Sequence, residues 1–338
     1  MTVPEGNTRA REGQVCLLKR SVYGLKQASR EWNTELYLKL VEYGFTQSCH
    51  DHCLFVKSHA GGFLTLLVYV DDVLIIGSHD SDIEHLKAYL DRVFTIKDLC
   101  FDKYFLGVEI ARSEQGTYLN QRKYILDILK DVGLQEFDTE RYHRLIGRLL
   151  YLNFTHSDIT FAVQQLSQYV GNPHYSHWDV AVHVLRYLKR CPSLGLFYSS
   201  SSPCTLTAYS DADWGTCPDT RKSLTGFCIF LGTSLISWKT KKQNTVSLSS
   251  VESEYRAHGA VVGELQWIFY VTRDLQRTKH LDIDCHIVCN LFKDGFFVLQ
   301  HVRSRNQLAD VFTKSLGGPQ FQMLLSKFGL RDFHRCQT

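Results

Sequence analysis

The sequence predicts an α/β protein built from two successive layered parts, and three observations carry that expectation. Of the 338 residues, 44% are hydrophobic and 22% charged, which is ordinary globular composition and enough chain for about two domains with cores of their own. Up to residue 198, β-prone apolar runs alternate with amphipathic helical patterns. The serine-rich stretch from Tyr198 to Cys204 then interrupts the pattern, and the remaining segments read as three strands, a long helix, and further short elements.

The elements follow in order. Arg30 to Tyr43 reads as a helix with Trp32, Leu36, Leu40 and Val41 near one face. Phe63 to Ile76 is a long apolar stretch broken only by Asp71 and Asp72. Asp82 to Val93 reads as an amphipathic helix, and Tyr104 to Ile110 as one strand. From Arg141 the pattern becomes wholly helical. Trp178, Ala181, Val182, Leu185 and Leu188 form a stripe, with Arg186, Lys189 and Arg190 off it. Beyond the break, Thr205 to Ser210, Gly226 to Leu231 and Ser234 to Trp238 read as strands. The long helix opens on the capping pattern Ser249-x-x-Glu252 and carries the stripe Val251, Tyr255, His258, Val262, Leu265 and Phe269. A shorter helix near Lys279 to Leu291, a strand from Phe296 to Val302, and a last helix opening at Ser304-x-x-Gln307 and ending at Gly317-Gly318-Pro319 complete the expectation.

Composition narrows the functional classes. The formal charge of +3 permits nucleic-acid contact without requiring it. No run of roughly 18 apolar residues is present, so no membrane span is expected. Met1-Thr2-Val3-Pro4-Glu5-Gly6 lacks the apolar core of a signal peptide. Eleven cysteines without such a signal suggest free thiols in a reducing compartment. Cys49-His50-Asp51-His52-Cys53 and Cys285-His286 with Cys289 invite a zinc reading, but neither has a second CxxC pair, so both are read as ordinary thiols.

Two groups of carboxylates stand out. Asp71 and Asp72 are the polar interruption between Leu66-Leu67-Val68-Tyr69-Val70 and Val73-Leu74-Ile75-Ile76, which predicts a hairpin with both at its tip. Adjacent carboxylates repel, and a divalent cation would relieve that cost. The plain alternative is a solvated turn. In the second part, Asp211 closes a strand in Thr207-Ala208-Tyr209-Ser210-Asp211-Ala212-Asp213-Trp214, Glu254 falls early in the long helix, and Asp310 falls on the last one. Converging from three elements, they could supply oxygen ligands to a hard cation. Read singly, they could equally be a turn residue, a helix-dipole partner and a solvated face.

Longer motifs bear on that choice. The run from Leu18 to Trp32, containing Gly24, Lys26 and Gln27, resembles the substrate-pocket motif of copia-type reverse transcriptases. Tyr69-Val70-Asp71-Asp72 resembles their catalytic box, and Tyr104-Phe105-Leu106-Gly107-Val108-Glu109-Ile110 their primer-grip strand, in the family's order. Asp211-Ala212-Asp213-Trp214, Arg221-Lys222-Ser223-Leu224-Thr225-Gly226, Ile236-Ser237-Trp238-Lys239, the stretch from Ser249 to Ala257, and Gln307-Leu308-Ala309-Asp310-Val311-Phe312-Thr313-Lys314 resemble the ribonuclease H domain of the same Pol polyprotein.

The resemblance implies an α+β palm and primer-grip fragment over 1–138 and a helical thumb or connection over 139–198. A ribonuclease H-like α/β domain over 199–316 and a tail over 317–338 follow. It implies Mg²⁺ held by Asp71 and Asp72 for nucleotide addition, and by Asp211, Glu254 and Asp310 for hydrolysis of RNA in RNA–DNA hybrids. Asp213 and Glu252 are neighbours without an assigned role. Gly24, Lys26, Gln27 and Gly107 fall near template, primer or incoming deoxynucleotide. Arg186, Lys189 and Lys241, with Arg190, Lys239 and Lys242, are candidate phosphate contacts to a template–primer duplex or hybrid. An intracellular setting, cytoplasmic, nuclear or in a retroelement particle, is implied too.

The sequence also departs from the family pattern. Ser29 stands where proline is usual, and Met1 to Gly6 resembles the stretch just after the strand that carries a third polymerase aspartate. The family's Cys-Asp-Asn segment, with a fourth ribonuclease H carboxylate and a strand beside the one ending at Asp211, has no counterpart between Gln276 and Arg277. Asp274, Asp282 and Asp284 match other family positions. A further shortening falls near Phe137 to Arg141. The expectation is therefore a polymerase–ribonuclease H fragment that is catalytically defective alone. A non-catalytic nucleic-acid-binding remnant and a decayed or mis-assembled reading frame are the competing readings.

Overall fold

The computed structural model describes residues 14–15, 17, 25, 27–59, 61–99, 104–132, 137–276, 300 and 302–332. Gly24, Lys26, the helix expected near Lys279, the strand expected from Phe296, and Cys285, His286 and Cys289 lie outside them. Backbone contacts divide the chain into two units, the first reaching Thr95 and taking in Asp274 onward, the second running from Ile96 to Arg273 and including the residues from 300 on.

In the first unit, α1 (Ala28–Tyr43) buries Leu36 and Leu40 and stops where Gly44 adopts φ +100°, its N–H closing on the Leu40 and Val41 carbonyls. Four antiparallel strands follow as a meander: β1 (Thr46–Gln47), β2 (Leu54–His59), β3 (Gly62–Tyr69) and β4 (Asp72–Gly77), in that spatial order. The expected apolar stretch is thus the β3–β4 hairpin. α2 (Asp80–Phe94) buries Leu86 and Leu90. Phe94 meets Trp32 of α1 edge-on at 4.9 Å between ring centres.

The second unit contains a five-stranded antiparallel sheet. β5 (Tyr104–Phe105), β6 (Val108–Ser113) and β7 (Gly116–Asn120) continue through β8 (Leu194–Ser199) to the short β12 (Leu330–Asp332) at the far edge. The single strand expected from Tyr104 to Ile110 is instead a tight hairpin. Leu106 and Gly107 take φ of +50° and +71°, and glycine at the second position makes that turn accessible.

A helical layer follows: α3 (Arg122–Val132), α4 (Thr139–Leu152), α5 (Thr160–Ser167) and α6 (Tyr175–Arg190). They enclose Ile125, Tyr142, Leu145, Leu149, Val163, Trp178 and Leu185. On α6, Trp178, Ala181, Leu185 and Leu188 are buried as their spacing predicts, with Arg186, Lys189 and Arg190 exposed.

Beyond the serine-rich break, β9 (Leu206–Ala212), β10 (Leu224–Leu231) and β11 (Ser234–Lys242) form an antiparallel sheet in the order β11–β10–β9. β10 is covered on both faces, which accounts for its unbroken apolar run. Phe227 and Ile229 pack against Val261 and Leu265 of α7 (Ser250–Gln276), while Cys228 and Phe230 join a second cluster with Leu308, Val311, Phe312, Leu324 and Phe328. That second cluster draws on α8 (Gly318–Leu325).

Four sequence expectations are corrected here. The chain after Ser304 forms two short 3-10 turns, Ser304–Asn306 and Leu308–Phe312, in place of an α-helix. The buried face of α7 is Ala257, Val261 and Leu265, whereas Val251 and Tyr255 of the predicted stripe are exposed. Residues 318–332, read as a tail, supply α8, β12 and the buried Phe328, and the serine-rich stretch is a connection inside one unit. Among the described residues, no helix is long and apolar enough to cross a membrane.

Candidate functional site

The first group of carboxylates lies on the β3–β4 hairpin. Tyr69 pairs with Asp72, so the two-residue tip is Val70-Asp71, one position earlier than the sequence suggested. Val70 has φ +52°, a left-handed conformation that costs a β-branched residue about 1–3 kcal/mol. The Trp32 indole N–H donates to the Val70 carbonyl at 2.8 Å and ties the strained tip to α1. Asp71 and Asp72 are both exposed, and β4 is the edge strand of its sheet among the described residues. Gln27 caps α1 in the same unit, its carbonyl accepting from the Arg30 and Glu31 N–H groups.

In the second group Asp211 and Asp310 are buried and Glu254 is half-buried. Asp211 ends β9 opposite Gly226 of β10, Asp310 lies on the 3-10 turn Leu308–Phe312, and Glu254 lies in the early turns of α7. Gly226 makes the approach possible, since a Cβ there would stand 2.6 Å from the Thr313 methyl and 2.7 Å from Phe312 Cβ. Thr313 donates its hydroxyl to Asp211. Lys314 Nζ lies 2.6 Å from Asp310 Oδ1 and 3.2 Å from Asp211 Oδ2, between two carboxylates whose side chains are 5% and 9% exposed.

The electrostatics record this convergence. Burial raises the Glu254 pKa, and the charges of Asp211 and Asp310 add to the rise, while the Ala212 N–H donates to its carboxylate and opposes it. Burial likewise raises Asp310, against the Lys314 hydrogen bond. For Lys314, burial opposes the charge, but the Asp310 hydrogen bond and the two carboxylates outweigh it and the pKa rises.

The acidic neighbours have structural partners. Asp213 accepts from the Thr216 hydroxyl and the Leu224 N–H, and burial raises its pKa. Glu252 accepts from the Leu248 N–H at 2.7 Å and pairs with Arg256 at 2.6 Å. In the first unit, Asp274 accepts from Ser48 at 2.6 Å and contacts His50 Nδ1 at 2.9 Å. Cys49 and Cys53 are free and exposed.

Among the described residues, no three His, Cys, Asp or Glu side chains already form a metal cage. Within the buried pair, the Lys314 ammonium lies between Asp211 and Asp310. That lysine, absent from the sequence-based candidates, was legible as Asp310-x-x-x-Lys314, an acid four residues before a base. Of the candidate phosphate contacts, Arg186, Lys189, Lys239 and Lys241 are exposed, on α6 and β11. Gly107 stands at the β5–β6 turn, braced by the Tyr151 hydroxyl donating to the Leu106 carbonyl.

An Asp–Asp hairpin tip on a meander of strands, followed by a second α/β unit with its own buried acids, defines a class of protein, and comparison with known sequences identifies it. Residues 1–143 match the family model described as reverse transcriptase (RNA-dependent DNA polymerase), and the chain belongs to the reverse transcriptase family. Its relatives place it with the Pol polyproteins of copia-type retrotransposons. It is 35% identical to the retrovirus-related Pol polyprotein from transposon RE2 of Arabidopsis thaliana over 98% of this chain and 26% of that protein. To the Pol polyprotein from transposon TNT 1-94 of Nicotiana tabacum it is 28% identical, over 98% of this chain and 29% of that one. An uncharacterized mitochondrial protein of Arabidopsis thaliana is 37% identical over 60% of this chain and 93% of its own length. The chain spans about a quarter of the length of the polyproteins it matches. No solved structure matches it.

Proposed function

We propose that this chain is the part of a Pol polyprotein that presents one pair of carboxylates, Asp71 and Asp72, for template-directed addition of deoxynucleotides and a second set, Asp211, Glu254 and Asp310, for hydrolysis of RNA in an RNA–DNA hybrid. The observation that carries the hydrolytic assignment is the buried Asp211–Asp310 pair bridged by Lys314. Two buried carboxylates require a counter-charge, and their oxygens are the donors that Mg²⁺ takes. An ammonium already held between them supports the fit of a cation there. Asp211 and Asp310 would hold Mg²⁺, with Glu254 completing the acidic wall. Bound there, the ion supplies neutralisation of the charge developing on the attacking and leaving oxygens. Thr313 fixes the orientation of Asp211, and Gly226 sets the separation of the two acid-bearing segments. The exposed Arg186, Lys189 and Lys241 contact the phosphate backbone of the hybrid or template–primer duplex, reading its shape in preference to its sequence.

We further propose that hydrolysis by this chain alone is weak. The alignment with the RE2 relative runs over 380 positions, and a chain of 338 residues leaves at least 42 of them filled by the relative alone. This supports an internal loss, the kind expected between Gln276 and Arg277. The test is purified protein with an RNA–DNA hybrid in Mg²⁺, across a range of salt. Expected are binding that weakens as salt rises and cleavage close to background. Robust cleavage lost in Asp310→Asn would overturn the defect and keep the assignment, whereas absence of salt-sensitive binding would remove the nucleic-acid reading altogether. Primer extension, run beside a longer chain carrying the preceding part of a Pol polyprotein and repeated with Asp71→Ala, tests the hairpin pair.

A further inference from the structure

Beside the buried acids, a cleft of about 510 Å³ opens between α5 and the loops that follow β9 and the 3-10 turn at Asp310. Its size is that of a small-ligand site. Phe161 and Gln165 of α5 line one side, and Trp214, Thr216, Lys314 and Ser315 are among the residues lining the rest. Trp214 is 56% exposed, a large apolar ring left in solvent, yet its indole N–H donates to the Ser247 carbonyl at 3.1 Å and fixes the ring. Lys314 belongs both to this cleft and to the bridge between Asp211 and Asp310, so whatever enters the cleft lies next to the acids.

We propose that this cleft receives one unpaired nucleotide of a strand running past the acidic site, its base stacked against Trp214 with Phe161 as the opposing apolar wall. A flat aromatic surface held in place, a second ring from a separate element, and amide and hydroxyl groups at the rim match a stackable face and hydrogen-bonding edges, while Lys314, paired with Asp211 and Asp310, and the lining Asp213 leave the recognition to the base. A base paired within a duplex could not enter without being extruded, which costs a few kcal/mol, so the ligand is a nucleotide at a strand end or gap. The inference rests on the nucleic-acid reading above and adds to it a place where the strand leaves the duplex.

The experiment uses the full chain in EDTA and fluorescence anisotropy with labelled RNA–DNA hybrids. One is blunt, one carries a short single-stranded RNA overhang, and one a short DNA overhang. Stacking of one base predicts about tenfold tighter binding of an overhang substrate than of the blunt one. Trp214→Ala and Phe161→Ala should abolish that advantage while leaving blunt-hybrid affinity unchanged, and Trp214→Phe should restore most of it. Trp214 is exposed, so its removal leaves the core intact, and circular dichroism melting checks each variant. An advantage for both overhangs identifies the shared base chemistry, and an advantage for one alone identifies the strand. Equal wild-type affinity for blunt and overhang substrates, or an overhang advantage surviving Trp214→Ala, would overturn the inference while sparing the wider reading. Failure of every hybrid to bind would instead overturn the wider reading.

Discussion

Asp71 and Asp72 stand exposed at the β3–β4 hairpin, whereas Asp211, Glu254 and Asp310 are gathered from three elements, and within that second group Glu254 and Asp310 carry a pH dependence of their own. Burial raises the pKa of Glu254, Asp310 and the neighbouring Asp213. A carboxylate whose folded pKa lies above its unfolded value is protonated more readily in the folded state. Lowering the pH through the folded pKa therefore adds stability, and the addition is complete below the unfolded value. Lys314 has its own raised pKa, so its contribution is fully present below the unfolded lysine value and does not change in that window. His177, its pKa lowered by burial, opposes this gain as the pH falls, and so does Asp158. Burial would raise its pKa, but His156 and the Tyr187 hydroxyl bring it down, so its contribution is lost only under more acidic conditions. The expected outcome is a melting temperature for the second unit that climbs a few degrees as pH falls from neutral toward the ordinary carboxylate range, about 4. Asp310→Asn should flatten the climb. A melting temperature that falls across this window in wild-type protein would show that these acids are not under the burial described.

At the scale of elements, the decisive contact is that between β10 and the segment carrying Asp310. Gly226 faces Asp211 across the ladder, and on its other side the chain from Ala309 to Thr313 comes close enough that a methyl group has no room. Gly226→Ala should therefore destabilise the second unit by about 1–3 kcal/mol, read as a lower urea midpoint with unchanged slope, because overpacking moves the acid-bearing segment away. Little of this closeness is written locally. Glycine at 226 ends a recognisable motif, but the Leu308–Phe312 turn gives no helical or strand period from which its approach could be read. The α7 stripe shows the same limit. Apolar residues lie on more than one face of that helix, and Phe227 and Ile229 select Ala257, Val261 and Leu265, a choice made by the sheet. Where the pattern was local it was legible. The α6 stripe, the carboxylates between two apolar strands, and the strand β10 all follow from spacing and side-chain type. The one-residue shift of the hairpin tip was not legible, because a positive φ at Val70 contradicts its own preference and is held by Trp32 from another element.

For the molecule as a whole, the question is where the second unit ends. The sequence reading ends the ribonuclease H-like part at residue 316, and on those motifs alone a truncation there would look harmless. The structure makes that cut a core mutation. Leu324, Leu325 and Phe328 are buried beyond it, Phe328 stacks on Phe312 at 5.6 Å between ring centres, and Phe312 lies in the turn that carries Asp310. β12 would also leave β8, whose edge then opens, and the Tyr118 hydroxyl would lose the Arg331 carbonyl it donates to at 2.7 Å. Each lost apolar side chain is worth about 1.5–3 kcal/mol of burial, so three of them approach the whole stability of an ordinary domain. Truncation after Leu316 should abolish the cooperative unfolding transition of the second unit and bring binding of a hydrophobic dye. Separation of effects is possible in the same experiment, because the first unit contains none of the removed residues and should keep its own protease-resistant fragment. A truncated chain that melts cooperatively at the wild-type temperature would show that the segment from Gly318 to Asp332 is dispensable, and with it the argument that the acidic site is held in place from the far end of the chain.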